Sequence, residues 1–264
     1  MLRRSPQKPP PGPAKKPDYL LYLLFFLAFI GILAIVLILV FKKDPAEPGQ
    51  EEVSSFITMP DVRNMRWLSY GDSITDGGYW QAAVADYFAL NHIESGISGS
   101  CVGGPLDNAF CSDARLAQVY ESDAQLITIL GGTNDFYSDL PLGEASELSK
   151  PLEDKNRMTF YGAYSYLVES LRKNLPEAEI VIMTTPVNHT WFIEDYLNAE
   201  GLSIMDYANV SAEIARYYSL ALVDLREIYP SAEEFAADFA DGIHPNLQGA
   251  EKISRALIER MTLP

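Results

Sequence analysis

Apolar residues are distributed along this chain in two ways. Residues 19–41 form one unbroken run without a charged side chain. As a helix those 23 residues would rise about 34 Å, enough to cross a hydrocarbon core ~30 Å thick, so the run reads as a transmembrane helix. A cleaved signal peptide is the alternative, but the run is long for one, and Lys42 and Lys43 follow it without a small-residue cleavage site.

From Arg66 onward the pattern changes to short apolar runs alternating with segments of helical period. Residues 67–70, 126–130, 180–183 and 220–223 are nearly continuous in apolar side chains, as expected of parallel strands buried on both faces, with a weaker strand near 93–97. Phe160, Ala163, Leu167, Leu171 and Leu175 fall on one helical stripe that Pro176 closes. Leu247, Ala250, Ile253, Leu257 and Met261 form a second stripe, and Trp80, Val84 and Tyr87 suggest a third helix. The alternation predicts one α/β domain, a three-layer α/β/α sandwich around a parallel sheet.

Four segments follow: a Pro-rich basic tail over 1–18, the membrane helix over 19–41, a linker over 42–64 and the domain over 65–264. The tail has Pro6, Pro9, Pro10, Pro11, Pro13 and Pro17 and nothing apolar to bury, so it is expected to be disordered. Arg3, Arg4, Lys8, Lys15 and Lys16 precede the helix, whereas Lys42 and Lys43 are followed at once by acidic residues. Basic residues near a membrane helix stay in the cytoplasm, which puts the tail inside and the domain outside the cell membrane. Pro45, Pro48, Gly49 and neighbouring glutamates keep the linker irregular.

Charge separates along the same division. Residues 1–43 hold seven of the 20 Lys/Arg and one of the 36 Asp/Glu, leaving 13 basic and 35 acidic groups and a formal charge of −22 on the rest. Such a surface repels phosphate backbones, and nucleic acid is not expected as a partner. Cys101 and Cys111, the only cysteines, fall in the outer part, where they could pair in a disulfide.

Candidate chemistry lies in Gly71-Asp72-Ser73 and Asp241-Gly242-Ile243-His244. Serine, histidine and aspartate are the three groups that convert a weak hydroxyl into a nucleophile. Of the three histidines, His92, His189 and His244, only His244 has a carboxylate three residues before it in a Gly/Pro setting. Taken singly, each segment has a plainer reading: a tight turn with Asp72 bonding nearby N–H groups, or the turn leading into the last helix. Ligands gather at the carboxyl ends of strands in open parallel sheets, so segments this distant in sequence can meet at one edge.

Four blocks in order resemble the SGNH or GDSL-type hydrolases, a family of esterases, lipases, thioesterases and carbohydrate deacetylases. Gly71-Asp72-Ser73-Ile74-Thr75-Asp76-Gly77 is similar to its nucleophile block, Gly96-Ile97-Ser98-Gly99 to the second, Gly131-Gly132-Thr133-Asn134-Asp135 to the third and Asp241-Gly242-Ile243-His244-Pro245-Asn246 to the last. The resemblance covers Arg66 to the C-terminus and implies a flavodoxin-like sheet. It also implies a catalytic triad of Ser73, His244 and Asp241, and an oxyanion hole of the Ser73 and Gly99 N–H groups with the Asn134 side-chain amide. Gly96 competes with Gly99 for the second position. The Gly-x-Ser-x-Gly of ordinary α/β-hydrolases is absent, since Thr75 stands at its second glycine. No second His/Cys cluster completes a metal site, so neither metal nor other cofactor is expected.

The substrate is less determined. Residues 135–159, with Phe136, Tyr137, Pro141 and Gly143, are candidates for a pocket wall, and Tyr79, Trp80, His189, Trp191 and Phe192 for aromatic groups near the edge, suited to sugar rings or to the core. Asn188-His189-Thr190 and Asn209-Val210-Ser211 match glycosylation acceptors. These features favour a membrane-tethered serine esterase acting on small or carbohydrate esters, such as O-acetyl groups of extracellular glycans. Acyl transfer to a polysaccharide and a non-catalytic glycan-binding domain are the alternatives.

Overall fold

The structure, a computed structural model, describes residues 58–186, 197–229, 232–239 and 241–262. The expected tail and membrane helix, the greater part of the expected linker, and His189, Trp191 and Phe192 lie outside these residues. Among the described residues no helix is long and apolar enough to cross a membrane.

Five strands, β1 (Arg66–Gly71), β2 (Asn91–Gly96), β3 (Leu126–Leu130), β4 (Glu179–Met183) and β5 (Ala221–Val223), form one sheet in the order β2-β1-β3-β4-β5. Every pairing is parallel. Side chains alternate across it. Leu68, Tyr70, Ile127, Ile129, Ile180 and Ile182 enter one core, while Trp67, Leu126, Leu130, Val181, Met183 and Val223 enter the other. Both faces are apolar because helices cover both, the condition under which a strand reads as a continuous apolar run.

The first core is covered by α3 (Asp113–Glu121), α5 (Phe160–Asn174) and α6 (Ile204–Tyr217), the second by α2 (Gln81–Phe88), α7 (Ala232–Asp238) and α8 (Leu247–Thr262). Two single-turn helices, α1 (Ser73–Asp76) and α4 (Thr133–Tyr137), stand directly after β1 and β3. The α5 stripe is buried as its spacing predicts. In α2 the inner face is Val84 and Phe88, and Tyr87 points to solvent. Leu247, the first residue of α8, is also exposed, whereas Ala250, Ile253, Leu257 and Met261 are buried.

Among the helices that the spacing does not reveal are α3 and α6. The inner face of α3 carries Arg115 between apolar neighbours, and that of α6 mixes Ile204, Tyr207, Val210 and Ile214 with Ala208, Ser211, Ala212 and Ala215, so neither shows a plain stripe of large apolar residues. Met59 and Val62, read as the end of the linker, are buried in the second core. Trp80, a candidate pocket aromatic, is instead core, and its indole N–H donates to the Ile74 carbonyl at 3.0 Å. The stretch after α4 folds through two short 3₁₀ turns, Ala145–Ser149 and Leu152–Asp154. The buried Lys155 ammonium pins it to α5, bonding the Glu147 carbonyl at 2.8 Å and pairing with Glu169 at 3.0 Å.

Close packing at the strand ends explains one glycine. A Cβ on Gly96 would lie 2.2 Å from the Asp76 nitrogen and 2.6 Å from its Cα, both backbone atoms, so β2 can approach α1 only without a side chain here. Gly99, at φ +76°, has open space around it. Gly96→Ala is expected to cost about 1–3 kcal/mol of stability, more than Gly99→Ala, which incurs about 1 kcal/mol of left-handed backbone strain. Denaturant unfolding of both variants measures this, and a larger loss at Gly99 would contradict it.

Candidate active site

Ser73 is placed by the sharp turn between β1 and α1. Asp72 caps that helix, its Oδ1 accepting from the Ile74 N–H at 2.9 Å. A Cβ on Gly71 would fall 2.0 Å from Thr75 Oγ1 and 2.9 Å from the Leu130 carbonyl, so the turn closes this tightly only around glycine. The serine hydroxyl is thereby held at the carboxyl edge of the sheet, beside β3.

His244 reaches it from the loop before α8. Its Nε2 lies 2.8 Å from Ser73 Oγ, and its Nδ1 lies 2.7 Å from Asp241 Oδ2. The second oxygen of Asp241 accepts from the N–H groups of Ile243 and His244 at 2.9 and 2.7 Å, so one carboxylate shapes the loop and orients the ring it carries. Burial works against the charge, but those backbone and ring bonds prevail and hold the Asp241 carboxyl down to about 2. With Asp241 ionised, Nδ1 carries the ring proton and Nε2 is the acceptor facing the serine hydroxyl. Asn246 closes the loop, bonding the Asp238 and Ala237 carbonyls at 2.7 Å each and capping α8 through the Gln248 and Gly249 N–H groups.

The second and third blocks meet beside this pair. Asn134, in α4, donates through Nδ2 to the Ser100 carbonyl at 3.1 Å. Its neighbour Asp135 is buried and grips the same loop, accepting from the Val102 and Gly103 N–H groups at 2.9 and 3.1 Å. No bond from the Ser73 or Gly99 N–H joins either to another described residue. Between the competing glycines the structure is discriminating: Gly96 is consumed by packing and Gly99 is open. The motif and the candidate pocket wall that both contain Asp135 give no sign of this buried role, which depends on a loop 32 and 33 residues away in sequence.

Other candidates are displaced. His92 bonds Ser69 at 2.8 Å and stacks on Trp67 with ring centres 4.6 Å apart, a contact between β1 and its neighbour β2. Cys101 and Cys111 are separate thiols rather than a disulfide; backbone bonds from Phe110 to Cys101 and from Cys111 to Val102 fix their segments, and the Cys101 thiol turns to Ser138 Oγ at 3.6 Å. Among the described residues no three His, Cys, Asp or Glu side chains converge to hold a metal ion. Tyr79, Tyr137 and Leu247 are exposed a few residues beyond Ser73, Asn134 and His244, so each of these three segments ends in an apolar side chain left in water.

Residues 69–252 match the GDSL-like lipase/acylhydrolase family, and the chain belongs to it. It is an ester-hydrolysing enzyme. Comparison with curated protein sequences finds no match. Among solved structures, a protein from Lactobacillus plantarum is 25% identical, with a TM-score of 0.58 over 75% of this chain and 96% of its own. A salicylyl-acyltransferase from a tetracycline biosynthetic pathway shares the fold at 18% identity, with a TM-score of 0.55 over 75% of this chain and 54% of its own. A variant of an acetyl-xylooligosaccharide esterase from Geobacillus Stearmophilus does so at 18% identity, with a TM-score of 0.52 over 76% and 96%.

Beneath the site, the buried Asp72 finds no hydrogen-bond partner for Oδ2 among the described residues. Desolvation pushes its carboxyl up to about 7, against the pull of the Ile74 N–H and of the His244 and Arg115 charges. Between the ordinary carboxylate range and about 7 the folded protein then holds a proton that the unfolded chain has lost, so this group lowers stability as pH rises through that window. Asp72→Asn keeps an oxygen for Ile74 and removes the buried charge. It is expected to be more stable than wild type at pH 8 by about 1–3 kcal/mol and to lose less stability between pH 5 and pH 8. Equal pH slopes in urea unfolding of the two proteins would show that Asp72 does not titrate in this range.

Proposed function

We propose that Ser73, His244 and Asp241 are the catalytic triad of a serine esterase. The observation that carries the reading is the continuous chain from Ser73 Oγ through both ring nitrogens of His244 to Asp241, at 2.8 and 2.7 Å. In the reaction Ser73 Oγ attacks the ester carbonyl while His244 Nε2 takes the hydroxyl proton. The tetrahedral oxyanion receives the N–H groups of Ser73 and Gly99 and the Asn134 amide. Its collapse breaks the bond to the alcohol, which leaves with the proton from His244. Water, deprotonated in turn by His244, then releases the acid and restores Ser73. Asp241 holds the ring in one tautomer and stabilises its charged form.

Small esters and acetylated carbohydrate are the substrates this reading favours. In its support, Tyr79 and Tyr137 present exposed rings near two of the site segments, and a fold neighbour is an acetyl-xylooligosaccharide esterase. Acyl transfer is the second reading, favoured by the salicylyl-acyltransferase among the neighbours. It uses the same acyl-serine, with a sugar hydroxyl in place of water. The full chain is expected to hydrolyse aryl acetates and to be labelled by a fluorophosphonate, with both lost in Ser73→Ala. Asn134→Ala should keep labelling while kcat falls by ~10²–10³. A folded wild-type protein lacking both activities would remove the esterase reading, and acylated glycan formed in preference to free acid would favour the transferase.

The uncharged run over 19–41 and the basic residues before it support a single-pass anchor, tail inside and catalytic domain outside the cell. Protease added to intact cells is then expected to remove the domain and leave a membrane-bound stub. A domain protected until the membrane is opened would reverse the orientation.

A further inference from the structure

One charged group in the core belongs to none of the four sequence blocks. Arg115 lies in the first turn of α3, where its N–H donates to the Ser112 cap at 3.2 Å, and it is only 2% exposed. Its guanidinium lies against two mutually tilted aromatic rings, 4.2 Å from the centre of Tyr70 and 4.9 Å from that of Phe110, the ring centres themselves being 5.1 Å apart. The ring faces favour a cation.

The fork reaches the chain at the places that carry the two backbone oxyanion donors. One nitrogen donates to the Ser95 carbonyl at 2.6 Å and to the Gly71 carbonyl at 3.4 Å, the ends of β2 and β1. The other donates to Ser100 Oγ at 3.1 Å and to the Asn108 carbonyl at 3.2 Å. Ser100 Oγ in turn donates to the Ile97 carbonyl at 2.7 Å, closing the turn that contains Gly99. Gly71 stands two residues before Ser73, and Ser95 and Ser100 bracket Gly99. Beyond the Ile97-to-Gly71 bond the ladder between β1 and β2 ends, and the turn carrying Gly99 is tied to the β1 side by the Ser98 hydroxyl donating to Asp76 at 2.5 Å, by a long bond from Ser100 Oγ to the Gly71 carbonyl at 3.5 Å, and by the Arg115 fork, which alone of these joins both strand ends and the turn. Burying a cation is costly where an apolar side chain would fill the same volume, and only a planar fork serves both segments at once.

We propose that Arg115 is a positioning residue for ester cleavage: it holds the Ser73 and Gly99 N–H groups at the separation that the tetrahedral oxyanion requires. The inference rests on the esterase reading above. Because the donors meet the oxyanion only after attack, loosening the brace weakens transition-state binding and spares binding of the substrate ester.

The test measures kcat and KM for an aryl acetate, together with inhibition by an aryl boronic acid, whose adduct with a serine hydroxyl is tetrahedral and anionic. It compares the full-length wild type with Arg115→Met, Arg115→Lys and Ser100→Ala. Arg115→Met is expected to lose ~10²-fold in kcat with KM within about threefold, and its boronate inhibition constant should rise in parallel. Arg115→Lys, which keeps the charge but not the fork, should fall nearly as far, and Ser100→Ala about tenfold with the same division. If Arg115→Met does not fold, the lysine and Ser100 variants decide. Unchanged kcat in folded variants, losses confined to KM, or unchanged boronate affinity would overturn the role of Arg115 while leaving the esterase intact. An inactive wild type would instead remove the reading on which it rests.

Discussion

The register that sets Gly71 beside Gly96 on one side and Leu130 on the other is the constraint on which the site depends. Three parallel strands end level at these residues, and their continuations diverge: β1 into α1, β2 into the Gly99 turn, β3 into α4. This is where the order of a doubly wound sheet reverses, since the strands following β1 and β3 lie on opposite sides. Glycine is needed at Gly71 and Gly96 because the segments converge here to distances that a Cβ would block.

Around these strand ends the protein buries polar groups that a stability criterion alone would replace with apolar ones. Asp72 and Asp135 are fully enclosed carboxyls, and each acts on backbone: one caps the helix that presents Ser73, the other holds the loop after Ser100. Desolvation pushes both up to about 7, with backbone N–H bonds opposing. The buried Arg115 fork binds the other side of the same loop. A loop held from both sides loses little freedom when a charge develops beside it, which is the condition for hydrogen-bond donors to favour a transition state over a ground state.

The nucleophile's partners follow a different logic. His244 and Asp241 are substantially exposed, with side chains 47% and 57% accessible, and their loop is secured by its own carboxylate and by Asn246. Orientation thus comes from local hydrogen bonds, and solvent can reach the imidazole. In the proposed reaction the enclosed half of the site would carry the oxyanion donors and the solvated half the proton transfer. Under that proposal hydrolysis and acyl transfer would both run through the solvated half and differ only in which hydroxyl arrives there.

Much of this was legible in the chain. Continuous apolar runs identified β1, β3, β4 and β5 because strands covered on both faces have no polar side to interrupt them, and the four blocks fell at the strand ends where such sheets collect function. Four blocks in order were also enough to bring Ser73, Asn134, Asp241 and His244 to one edge. What escaped lacked an uninterrupted pattern: α3 with its inward Arg115, α6 with serine and alanines between its larger buried residues, and the last linker residues, whose Met59 and Val62 are too few to form a pattern. The separation of the two cysteines likewise required three dimensions, as did the backbone packing at Gly96, whereas Gly99 was already the glycine that the resemblance implied. Sequence by itself determined which elements form and which residue types carry the chemistry, since period and composition are local properties. Only the tertiary structure decided which glycine is open, which carboxylates are buried and which carbonyls the Arg115 fork reaches, because those depend on contacts between segments far apart in the chain.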